Sequence, residues 1–192
     1  MNDFAFYFNL GWKHIISTDA LDHQLFIGVL AAIYLLPNWK QVLILVTAFT
    51  IGHSLTLVLS TYNIIQFSNK WVEFLIPLTI VITSMVNFFR KNFQSASFKL
   101  QYLLAAVFGL VHGLGFANTI RFMLAENQKI IIPLLSFNLG LEAGQVLVVA
   151  IILAMSYLLV NMLSINRKLW VWSISSLALF WSLYLCILHL PF

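Results

Sequence analysis

The sequence predicts an all-α, polytopic membrane protein: a compact bundle of about six transmembrane helices preceded by a short interfacial N-terminal segment. Three observations lead there. Of the 192 residues, 61% are hydrophobic and only 8% charged, with a mean hydropathy of +0.95; a soluble domain needs roughly 25% charged residues to cover its surface. The apolar residues fall into runs of the length that crosses ~30 Å of hydrocarbon as helix, roughly 20 residues. These runs are continuously apolar, whereas a transmembrane β-barrel alternates in ~10-residue segments. Seventeen Phe, six Trp and six Tyr exclude a disordered chain. The single cysteine, Cys186, excludes a disulfide framework and a zinc ribbon. Ten basic against six acidic residues give no footprint for nucleic acid.

Residues 1–192 read as one transmembrane domain, with spans at about 21–36, 41–61, 71–89, 100–123, 130–160 and 169–188. The breaks coincide with Pro37-Asn38-Trp39-Lys40, Ser68-Asn69-Lys70, Arg90-Lys91-Asn92, Glu126 to Lys129, and Asn166-Arg167-Lys168. The fifth run is long enough to tilt strongly or to extend past the membrane. The first twenty residues lack the basic start, apolar core and small-residue cleavage site of a signal peptide. They read as an interfacial or partly re-entrant segment with Phe4, Phe6, Tyr7, Phe8 and Trp12 at headgroup level. Lys40, Arg90, Lys91, Lys99, Arg167 and Lys168 fall on one side; Lys13, Lys70 and Lys129, with Arg121 near them, fall on the other. The positive-inside rule then puts both termini outside.

Ionisable residues inside spans are costly and by default mark a functional site. Here they are Asp22, His23, His53, Glu73, His112 and Glu142, supported by Asn138, Gln145, Thr50 and Ser54. With alternating topology, all six ionisable groups lie toward one side or the centre of the membrane, and a scatter of structural polar groups would not segregate so. Taken singly, each histidine could equally be a capped helix end or an interhelical hydrogen bond. Asn138, Glu142 and Gln145 follow i, i+4, i+7 and form one stripe. Gly109 and Gly113 flank His112, and Gly140 and Gly144 flank Glu142. Small residues at this spacing permit close helix contact, which is expected to bring the fourth and fifth spans together and His112 near Glu142. Pro77, four residues after Glu73, is expected to kink the third span.

Three carboxylates and three histidines, with His14 as a fourth just before the first span, make a nitrogen and oxygen ligand set without thiolate. Imidazole suits zinc, copper, iron and nickel, and neutral His beside anionic Asp or Glu compensates a divalent charge in low dielectric.

The segments that carry these residues resemble a known family. GWKHIISTDALDHQLF (11–26), FTIGHSLTL (49–57), VEFLIPLTI (72–80), FGLVHGLGFA (108–117) and FNLGLEAGQ (137–145) look like successive motifs of the HupE/UreJ family, in order and across nearly the whole chain. The resemblance implies a small bacterial inner-membrane permease for nickel or cobalt, associated with metalloenzymes such as hydrogenase and urease. It implies that Asp22 and His23 match the family's Asp-His pair, and that His53, Glu73, His112, Asn138 and Glu142 match its other polar positions. One departure stands out: seven residues separate His14 from Asp22, where the family usually has five. Either His14 is displaced from the site or the intervening segment loops differently, with Asp19 as a substitute.

The leading reading is therefore transport of a divalent metal ion, nickel or cobalt favoured over zinc, with the lipid bilayer as surroundings and a small homo-oligomer as a compatible state. The alternative is a membrane-embedded metal-dependent hydrolase using the same cluster as a zinc site, with Glu142 or Glu73 as general base. Against it, the chain has no HExxH pair, and Ser54 adjoins His53 at a spacing whose side chains diverge on a helix. Beyond Glu142, VLVVAIILAM (146–155) is wholly apolar. A closed inner gate or a blind cup is expected there.

Overall fold

A computed structural model describes residues 3–90, 93, 98–123 and 130–191. The side chains of Asp19, Lys91, Lys99, Arg121 and Lys129, which entered the orientation and ligand readings, lie outside the described residues. The helices are α1 (Asp3–Ile16), α2 (Leu21–Ala31), α3 (Trp39–Thr61), α4 (Asn69–Phe89), α5 (Phe98–Met123), α6 (Ile131–Ser156) and α7 (Arg167–Leu188). A π-helical turn, Tyr157–Met162, extends α6, and 3-10 turns at Thr18–Ala20 and Leu36–Asn38 join the first three helices. No strand occurs among the described residues. Local chemistry explains several ends. Pro37 opens the turn before α3, Asn63 takes the left-handed conformation after it, and the Asn166 side chain accepts from the Lys168 N–H to start α7. Pro77 lies inside α4.

Among the described residues, four helical stretches are long and apolar enough to cross a membrane: Leu36–Thr61, Asn69–Phe89, Ile131–Met162 and Arg167–Leu188. Large apolar side chains such as Ile51, Phe89, Phe180 and Ile187 are exposed on the outer surface, at 63%, 76%, 76% and 70%. Water would penalise such a surface and lipid would not. The protein is an integral membrane protein.

The first expected span is rebuilt by the structure. Helix α2 has 11 residues, ~16 Å at 1.5 Å per residue, too short to cross alone. Helix α1 is no surface segment: Tyr7, Gly11 and Ile15 are buried, and it runs parallel to α6, with Phe8 and Trp12 against Gly140 and Ile15 against Gly144. Beyond the turn at Ser17, α2 continues in the same sense, so that the Tyr34 carbonyl accepts from Ser156 near the end of α6. Together α1 and α2 run along α6, from Phe8 beside Gly140 to Tyr34 beside Ser156. Irregular backbone at membrane depth must be satisfied by protein, and Gln24 does this. Its Nε2 donates to the carbonyls of Ile15 (3.0 Å) and Ser17 (2.9 Å) at the end of α1. Replacing Gln24 with Ala should cost roughly 1–3 kcal/mol, the penalty for stranding buried acceptors. Thermal unfolding in detergent, with Gln24→Glu as control for size, checks this.

Glycines clasp two pairs of parallel helices. In α1 and α6 the same tetrapeptide, Phe-Asn-Leu-Gly, occurs at 8–11 and 137–140. A β-carbon at Gly11 would stand 2.0 Å from the Phe137 carbonyl oxygen, and one at Gly140 would stand 2.0 Å from that of Phe8. In α3 and α5 the arrangement recurs: Gly52 faces the Ala106 carbonyl and Gly109 that of Phe49, each at 2.1 Å for such a carbon. The expected glycine contact between the fourth and fifth spans is therefore corrected. Each glycine meets a carbonyl three residues before the partner's glycine, a reciprocal fit that needs parallel helices, and α5 and α6 are successive and do not run parallel.

Candidate metal centre

The two clasped pairs, together with the start of α2, surround four imidazoles. His14 sits one turn after Gly11 on α1, His53 follows Gly52 on α3, and His112 follows Gly109 by one turn on α5. His23 projects from the first turn of α2. The close backbone approach that the glycines allow is what crowds these rings. Ring centroids of His14 and His23 are 4.7 Å apart, and those of His23 and His112 are 4.8 Å apart. One nitrogen each from His14, His23 and His53 lies within 4.8 Å of the others. Ligand atoms around a zinc-like ion at ~2.0–2.1 Å stand ~3.3 Å apart, so the trio is at its widest more open than a closed coordination shell.

His23, His53 and His112 are buried and His14 half-buried, and the nitrogens of His14, His23 and His53 converge. His53 is 0% exposed, His112 1% and His23 4%. His14 Nε2, His23 Nε2, His112 Nε2 and both nitrogens of His53 have no hydrogen-bond partner. Chemistry assigns two tautomers. His112 Nδ1 lies 2.9 Å from the Phe108 carbonyl, which can only accept, so Nδ1 carries the proton and Nε2 presents a lone pair. His23 Nδ1 lies 3.0 Å from Asp22 Oδ1, and that carboxylate also accepts from the His23 backbone N–H at 2.8 Å. Asp22 thus orients His23 in the manner of a carboxylate behind a metal-binding imidazole. Buried lone pairs without a proton donor are costly, and a cation is a partner that their chemistry suits.

A cavity of about 270 Å³ leads from the cluster toward the beginning of α4, lined by His14, Asp22, His23, Glu73, His112 and Phe116. A second, of about 290 Å³, adjoins it and shares Asp22, Glu73 and Ile76. On the other side the cluster is sealed by rings. Phe26 packs at 5.4 Å on Phe49 and 5.3 Å on Phe108, and both Phe26 and Phe49 contact His112. Beyond Phe108 a small pocket is lined by Thr83, Asn87, Arg90 and Gln101, where Gln101 bridges the Tyr34 hydroxyl and the Arg90 guanidinium. The polar groups past the seal thus lie along α2, α4 and α5. The apolar stretch 146–155 of α6 does not line this route.

Of the residues singled out in the sequence, the structure gathers His14, Asp22, His23, His53 and His112. The longer segment after His14 does not displace it, because residues 17–20 form a short 3-10 turn that starts α2 beside the end of α1, and the His14 and His23 rings meet at 4.7 Å. Asn138 lies next to His53, its Nδ2 donating to the Leu134 carbonyl and its Oδ1 buried without a partner. Glu73 lines the cavity, with Oε2 3.4 Å from His189 Nδ1. Glu142 is set apart: it accepts from Thr47 at 2.6 Å and lines a groove with Thr47, Thr50 and Ser54. Gln145 accepts from Thr50 at 2.9 Å, and Ser54 donates to the Thr50 carbonyl at 2.7 Å. The reason is geometric, since Gly140 and Gly144 turn one face of α6 onto α1 and the Glu142 face toward α3. His189 drew no attention in the sequence. Its only signal is that a histidine ends the last apolar run.

Fold and site together define a class: helical integral membrane proteins that keep a buried imidazole–carboxylate cluster fit for a divalent metal. Within that class the chain belongs to the HupE/UreJ family, whose model, described as HupE / UreJ protein, matches residues 1–188. Membership implies the handling of a metal such as nickel or cobalt, as transporter or accessory protein. No curated protein and no solved structure matches the chain significantly.

Proposed function

We propose that the protein carries a divalent transition metal ion, of the nickel or cobalt type, across the bacterial inner membrane. The observation that carries this reading is the convergence of unpartnered imidazole nitrogens from α1, α2 and α3, with the His112 ring of α5 packed against His23, at the foot of a cavity open toward one end of the bundle. His14, His23, His53 and His112 are the ligands, Asp22 orients His23 and offsets the cation's charge, and Asn138 adds an amide oxygen beside His53. Glu73 lines the approach. The orientation from the positive residues makes this end the outer one, with both termini outside. Phe26, Phe49 and Phe108 act as a closed gate, and the pocket at Asn87 and Gln101 is the exit route.

Transport needs binding tight enough to select and loose enough to release, and an open cluster of neutral imidazoles meets both needs better than a thiolate cage. A membrane potential supplies ~2.3 kcal/mol per charge per 100 mV, hence about 4.6 for a divalent ion moving inward. The hydrolase alternative gains no support, since the Ser54 hydroxyl is engaged with helix backbone.

Uptake of Ni²⁺ or Co²⁺ into sealed proteoliposomes under an imposed potential tests the proposal. A wild type that binds the ion but moves none defeats it. Asp22→Asn should lower metal affinity roughly 10- to 100-fold, as loss of an orienting partner does elsewhere, with the fold intact by circular dichroism. Glu142→Gln should leave affinity within about twofold, because Glu142 stands outside the cluster; titration calorimetry on both variants measures the contrast.

A further inference from the structure

We propose that Glu73 and His189 form a second, shallower divalent-metal site at the outer mouth, which captures the ion before it reaches the buried imidazoles. The inference rests on the transport reading above and adds a step to it. The chain has five histidines. Four make the deep cluster, and the fifth, His189, lines the adjoining cavity beside Glu73, so that four of the five imidazoles line two adjoining cavities and His53 packs behind His14 at 6.3 Å between ring centroids.

The spacing fits a metal. Two donors bound at ~2.0–2.2 Å and 90–110° to one ion stand ~3.0–3.5 Å apart, and His189 Nδ1 and Glu73 Oε2 are 3.4 Å apart. The mouth pair is thus already spaced for an ion, unlike the deep trio. The bland reading is an ion pair tying α4 to α7. At 36% and 57% exposure of the two side chains, such a pair adds little stability, and α4 is joined to α7 independently by the Asn87 amide donating to the Ser175 hydroxyl at 3.2 Å. With only two protein donors, an ion here keeps most of its water and exchanges readily. Asp22 lines both cavities and stands where the ion would pass from the mouth to His23.

Calorimetric titration of the purified, detergent-solubilised protein with NiCl₂ should show two classes, one tight and one weak. His189→Ala and Glu73→Gln should each remove the weak class and leave the tight one within about twofold. In proteoliposomes they should raise the KM of uptake roughly tenfold at unchanged maximal rate, the scale of losing one contributor to a metal site. His53→Ala should do the reverse, removing the tight class and sparing the weak. A wild type with a tight class alone, or a weak class untouched in both mouth variants, overturns the capture site and leaves the transport reading standing. A wild type with no tight class overturns the transport reading itself, and the capture role with it.

Discussion

His53→Ala is expected to abolish high-affinity metal binding and reduce uptake by at least ~100-fold, while the protein folds and runs as wild type in gel filtration. The side chain is fully buried and neither ring nitrogen has a partner. An imidazole so placed contributes little to the fold beyond its packing, because its buried polar atoms are left unsatisfied. Truncation removes those atoms along with the ring, so the usual large cost of emptying a core position is partly offset. The metal-free variant should therefore melt within a few degrees of the metal-free wild type, on the scale of ~1 kcal/mol. The difference emerges on adding metal. Wild type at an ion concentration 100 times its Kd gains ~2.7 kcal/mol and melts higher, whereas the variant stays where it was. Equal metal-induced shifts in the two proteins would remove His53 from the site. Binding should also weaken toward acid pH in wild type, since protons compete for the same lone pairs.

Gly109→Ala is expected to be among the most damaging single substitutions, at roughly 2–5 kcal/mol, although it adds only one methyl group. The new carbon would stand 2.1 Å from the Phe49 carbonyl oxygen and 3.0 Å from the His53 nitrogen, both backbone atoms that cannot swing away. Helices α3 and α5 must separate by about an ångström, and the parallel clasp, which is held by close van der Waals contact with no hydrophobic drive in lipid, loosens. Because His53 and His112 ride on these helices, metal affinity should fall together with stability. Gly28→Ala is the internal control. Its nearest neighbours are side chains at 3.8 and 4.0 Å, and Ala is the better helix former by about 1 kcal/mol, so stability should be unchanged or raised. Similar melting temperatures for the two variants would refute the clasp.

The amino-acid sequence by itself determined that this is a helical membrane protein, where α3, α4, α6 and α7 lie to within a few residues, and which residue types suit a metal. Those features follow from composition, run length and the cost of placing a charge in hydrocarbon, all of which are local. Only the tertiary structure decided the rest. Helix α1 is too short and too polar at Asn9, Lys13 and His14 to register as a span, and is drawn into the bundle only because α6 clasps it and α2 continues it. That pairing is what brings His14 into the cluster. Glu142 is separated from the cluster by the face α6 turns to α1, and His189 is joined to Glu73 by the packing of α7 on α4. Helical periodicity tells which residues share a face; which helix that face meets depends on reciprocal contacts between distant segments, and those exist only once the chain has folded.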